Sequence, residues 1–76
     1  MTKLDKILHQ IKLLRKEKGF TQAKFAEVLK VDRTTYVRKE SGFVPLTLKE
    51  FLLIADFLKA QPEYFFKSIT AKSKRF

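Results

Sequence analysis

Thr21-Gln22-Ala23-Lys24-Phe25-Ala26-Glu27-Val28-Leu29-Lys30-Val31-Asp32-Arg33-Thr34-Thr35-Tyr36-Val37-Arg38-Lys39-Glu40-Ser41-Gly42 decides the fold. Thr21 suits the position before a helix, because its hydroxyl can accept one of the backbone N–H groups that the first turn leaves unbonded. The helix it opens puts Phe25, Ala26 and Leu29 on one side and ends near Leu29. Asp32 is a second N-cap. The segment Arg33 to Glu40 makes only about two turns before Ser41-Gly42 stops it. A helix this short does not hold by itself, so it requires packing against its neighbours. Ala26 is small where the two helices cross, and Val31 and Tyr36 fill the angle between them.

On the amino-terminal side, Leu4, Ile7, Leu8, Ile11 and Leu14 recur at three- and four-residue steps. This predicts a helix from about Leu4 to Lys18 with one apolar stripe, stopped by Gly19. Thr47-Leu48-Lys49-Glu50 on the other side reads as a capping box ahead of Phe51, Leu52, Leu53, Ile54, Ala55, Phe57 and Leu58. Pro62 fits the first position of a fifth, short helix carrying Tyr64, Phe65 and Phe66, since the N–H it lacks would have no helical partner there. Lys67 to Phe76 has four cations and no acid, and reads as a frayed basic tail. The expected fold is all-α: one compact five-helix domain over residues 1–68, with 69–76 as the tail.

The 76 residues are enough for one small core, and too few for a core plus a separate catalytic cleft. Cysteine is absent, so neither disulfides nor thiolate metal sites brace the chain. Seventeen Lys and Arg against eight Asp and Glu give a net charge of +9, which selects polyanions, and nucleic acid first, as the partner class. His9 is the sole histidine and is expected on the surface; no metal or other cofactor is expected. The acids are scattered along helices, and Gly19 and Gly42 are the only glycines, so neither a catalytic carboxylate pair nor a phosphate loop is in sight. An enzyme is not expected. The charged amino terminus lacks the apolar run of a secretory signal and is expected to be retained. The longest apolar run, Phe51 to Ala55, is far below the roughly 20 residues of a membrane span. A cytoplasmic location is expected.

The stretch from Gln22 to Gly42 resembles the helix-turn-helix of the phage-repressor and Cro-like (lambda-repressor-like) family. It does so through Gln22 and Ala26 in the first motif helix, Val31 in the turn, Tyr36 in the second helix, then Glu40 and Gly42. The likeness extends from about Ile11 to Phe66. It implies double-stranded DNA as the partner, with the helix 33–40 in the major groove, and a role as a transcriptional regulator of repressor type. Arg15 and Glu40 look like the family's partly buried ion pair, a charge being tolerated there only when paired.

By the same resemblance, Arg33 and Thr34 touch base edges at the amino end of the reading helix, with Val37 and Arg38 a turn further on. An Arg fork can bond guanine O6 and N7, and Val37 can pack on a thymine methyl. The plainer alternative is that Arg33 and Arg38 only meet phosphates or solvent. Gln22 stands where the family sets an amide against the DNA backbone. Lys24, Thr35 and Lys39 are further candidates for phosphate contact, with Lys12, Lys16 and Lys18 weaker ones.

Five residues depart from the family pattern. Lys30 and Lys59 occupy turn positions that are often glycine, so either each turn adjusts or it carries a left-handed lysine. Lys39 falls where an apolar residue often closes the core, and its alkyl stem can lie over that core. Phe43 and Val44 replace the usual polar or basic loop residues. Together with Leu53, Phe57 and Tyr64 they form a candidate homodimer surface, unless these side chains simply enlarge the core. The competing functional reading is a protein-interaction module of antitoxin or anti-repressor type, holding a partner protein on that Phe-rich surface.

Overall fold

The computed structural model describes the backbone of residues 2–70 and the side chains of residues 2–66. Its helices are α1 (Lys3–Glu17), α2 (Gln22–Leu29), α3 (Arg33–Ser41), α4 (Leu48–Leu58) and α5 (Pro62–Thr70). Local chemistry sets most of these boundaries. The Thr21 hydroxyl accepts from the Lys24 amide at 3.0 Å to open α2, and the Asp32 carboxylate accepts from the Thr35 amide at 2.6 Å to open α3. Thr47 and Glu50 close the expected capping box on α4, at 3.1 and 3.0 Å. A second capping box, Thr2 with Asp5, starts α1 just ahead of the predicted Leu4.

Helix α5 runs to Thr70, so residues 67–70, read from sequence as the start of a tail, continue the helix past the expected boundary at 68. Residues 71–76, the rest of that tail, lie outside the described residues.

Both lysines at the glycine-like turns carry the strain rather than avoid it. Lys30 sits at φ 60° and Lys59 at φ 56°. After α2, the Val31 amide donates to Ala26 O at 3.0 Å and the Lys30 amide to Glu27 O at 3.1 Å. The same pair of bonds recurs after α4, from Ala60 to Ala55 and from Lys59 to Asp56. These bonds satisfy the last carbonyls of each helix, and they require the left-handed residue.

The core combines Leu8, Ile11 and Leu14 from α1 with Phe25, Ala26 and Leu29 from α2, Tyr36 from α3, Phe51, Ile54, Ala55 and Leu58 from α4, and Phe65 from α5. Leu4, counted in the α1 stripe from its spacing, is exposed, because the buried stripe begins with Ile7 and Leu8. Phe25 is the hub of α2, with its ring 5.7 Å from Tyr36 and 5.9 Å from Phe57, both edge-on. Phe57 also packs 4.9 Å from Phe20. Helix α2 packs on α3 and α4, and α1 on α3 and α5, which fixes the short α3 from two sides.

Candidate nucleic-acid interface

Helix α3 divides cleanly between its two faces. Tyr36, Lys39 and Glu40 are buried, at i, i+3 and i+4. On the other side Arg33, Thr34, Arg38 and Ser41 are exposed and Val37 is half-buried among them. The residues expected to address bases thus share one outward face, and Ser41 extends it by a turn. Sequence reasoning missed Ser41 by ending the helix at Glu40, although the eight-residue spacing from Arg33 keeps it on the same side.

What holds that face outward is a polar cluster centred on Glu40. Arg15 donates Nε to Glu40 Oε2 at 2.8 Å and Nη2 to Oε1 at 3.2 Å, and its Nη1 donates to the Phe20 carbonyl at 2.8 Å. Gln22 Nε2 donates to Oε1 at 2.8 Å, and the Tyr36 hydroxyl to Oε2 at 3.2 Å. Burial, together with the neighbouring Glu40 charge, pushes the Tyr36 phenol far above its ordinary range, so it remains a donor. Among the described residues no buried side-chain N or O lacks a partner, which is the condition under which a buried charge pair is tolerated. The cluster ties α1, α2 and α3 at a single carboxylate. The part played by Gln22 in it was not foreseen: its side-chain amide is committed to Glu40 through one hydrogen.

At the amino end of α3, the Thr35 amide and hydroxyl hold the Asp32 carboxyl below its ordinary value, so the N-cap stays ionised. Thr35 is half-buried, with its hydroxyl turned to that cap. Lys24 is exposed, 3.2 Å from Glu27 and 5.8 Å from the Phe57 ring centre. It borders the same surface cleft between α2 and α3 as Thr21 and Arg33.

Lys39 corrects the sequence reading. It is buried, and its Nζ donates to Glu50 Oε1 at 2.9 Å and to the Pro45 carbonyl at 3.0 Å. Its ammonium ties the end of α3 to the start of α4 and does not reach out to a phosphate. Burial raises the Glu50 pKa, but the Thr47 amide and the Lys39 ammonium outweigh it and hold the carboxyl below its ordinary value. The available signal was a lysine at a core-facing position of α3 and a capping-box glutamate on the next helix.

The candidate dimer residues are not all alike. Phe43 is 84% exposed, Leu53 and Tyr64 are exposed to a lesser degree, and Val44 is half-buried. Phe57 is packed into the edge of the core against Phe20 and Phe25, which removes most of its ring from any surface patch. Leu48, overlooked in the sequence, is 71% exposed and borders an apolar groove with Leu4, Leu46, Phe51 and Phe66. Among the described residues no helix is long and apolar enough to cross a membrane, and no group of acids and histidine is arranged to hold a metal.

A family model described as Helix-turn-helix matches residues 11–65. No protein of curated function and no solved structure matches the chain. The matched span runs from α1 into α5 and includes the whole Glu40 cluster and the outward face of α3. The chain belongs to the helix-turn-helix family of lambda-repressor-like, DNA-binding transcription regulators.

Proposed function

We propose that this protein is a sequence-specific repressor that sets α3 in the major groove and reads a half-site with Arg33, Thr34, Val37 and Arg38. The observation that carries this reading is the division of α3: those side chains face outward together, while Tyr36 and Glu40 fasten the opposite side to α1 and α2. Arg33 and Arg38 supply guanine-reading forks, Val37 a surface for a thymine methyl, and Thr34 a hydroxyl for either groove edge or phosphate. Lys24 and the second amide hydrogen of Gln22 face the DNA backbone. Repression follows from occupancy of the operator, with polymerase excluded from the same DNA.

Two copies related by a two-fold axis read half-sites about one helical turn, roughly 34 Å, apart. The exposure of Phe43, on the connection between α3 and α4, and of Leu48, the first residue of α4, supports that connection and the start of α4 as the self-complementary surface. Selection of bound duplexes from a random DNA pool tests the whole reading. The outcome it requires is an enriched, guanine-containing inverted repeat; recovery of a pool with no preferred sequence contradicts it.

A further inference from the structure

Lys12 stands beside the reading face without a structural task. It is exposed on α1, one turn before Arg15, and shares a cleft with His9 on its own helix and with Glu40 and Ser41 on α3. Both acids of that cleft are already engaged. Glu40 is saturated by Arg15, Gln22 and Tyr36, and Asp5 closes the α1 capping box with Thr2. Among the described residues Lys12 has no ion-pair partner. Arg15 and Gln22 reach Glu40 together, so α1 and the start of α2 flank the same side of α3. Ser41 belongs to the outward face and borders the Lys12 cleft. The α3–α4 loop, Phe43 to Leu46, has no cation of its own.

We propose that Lys12 binds a phosphate of the DNA strand that runs past Gln22, carrying the interface from α2 onto α1. The inference rests on the DNA-binding reading of α3 and adds a position outside the helix-turn-helix. A phosphate-bound ammonium releases a condensed counterion, so removing it flattens the dependence of log affinity on log salt by about 0.9. The competing role for a lysine here is to offset the negative carboxyl end of α3, which acts on stability and not on salt slope.

The test measures binding of wild type, Lys12→Gln, Lys12→Arg and Lys59→Gln to a selected and a random duplex between 50 and 200 mM salt, with thermal melting of each protein. Lys12→Gln is expected to lose affinity equally on selected and random duplexes. Over this fourfold salt range its affinity should fall about three- to fourfold less than that of wild type. Lys12→Arg and Lys59→Gln should keep the wild-type slope. A Lys12→Gln slope equal to wild type overturns the inference, whether or not its melting temperature drops. A wild-type protein that prefers no sequence overturns the reading of α3 instead.

Discussion

Arg15 and Glu40 join α1 to α3 through two hydrogen bonds, from Nε at 2.8 Å and from Nη2 at 3.2 Å, with both side chains almost wholly buried. The pair is placed by one residue from each helix, 25 positions apart, and it fastens the inner side of α3 opposite its exposed face. Removing one partner strands the other charge. Glu40→Ala is therefore expected to destabilise the fold by about 3–5 kcal/mol, measured by urea unfolding. The double variant Arg15→Met, Glu40→Leu should recover most of that loss while the Gln22 amide loses its tether. Equal destabilisation by the single and double variants would contradict a charge-pair origin.

Lys30 and Lys59 each hold a left-handed conformation at a helix end. Relief of that strain by glycine is worth about 1–2 kcal/mol, offset by about 0.5–1 kcal/mol for the freer unfolded chain. Lys30→Gly and Lys59→Gly should each stabilise by about 0.5–1 kcal/mol in thermal or denaturant melts, and the two effects should add. A loss of stability in either would mean that the lysine side chain contributes more than its backbone costs.

The Lys39–Glu50 pair makes stability depend on pH. Glu50 has a folded-state pKa held below the ordinary glutamate value of 4.5, so its contribution is complete above that value and disappears as pH falls through the lower, folded one. Lys39→Met keeps the alkyl stem over the core and removes the ammonium. It should weaken the acid-side slope of the stability profile, leaving the neutral-pH fold intact. An unchanged slope below pH 4.5 would assign the acid sensitivity to other carboxylates.

If the α3–α4 connection is the dimer surface, Phe43→Glu should reduce self-association at least about tenfold in sedimentation, because a charge would replace the most exposed large apolar side chain among the described residues. Its melting temperature should hardly change, since little of Phe43 is buried in the single chain. Wild-type protein that stays monomeric at high concentration, with and without a two-half-site duplex, would exclude the dimer.

Much of this architecture is legible in local chemistry. Thr21, Asp32, Thr47 and Pro62 each mark a helix start within one residue, because capping is decided by a side chain and the amides beside it. Helical periodicity puts Arg33, Thr34, Val37 and Arg38 on one face, and the resemblance to the helix-turn-helix family, with Tyr36 as a core residue, says that this face is the outward one.

The misreadings concern partners that are distant in sequence. A lysine in a basic helix looks like a DNA contact, and the carboxylate that holds Lys39 inward, Glu50, comes from the next helix, 11 positions away. Phe57 reads as part of the candidate dimer surface because it lies outside the α4 positions that the resembled family uses for its core. Only the approach of Phe20 and Phe25 from elsewhere in the chain brings it into the core edge. Gln22 likewise looked like a plain phosphate contact until Glu40 was placed beside it.

The most direct measurement of the central claim compares Arg33→Ala with Lys24→Ala across a selected duplex and its single-base variants at fixed salt. Both positions border one cleft at the amino end of α3, but only Arg33 lies on the outward face of that helix. Arg33→Ala should cost about 1–3 kcal/mol on the duplex bearing its base and much less on the variant lacking that base, while Lys24→Ala weakens every duplex alike. Equal losses on all duplexes for both variants would contradict base reading by α3.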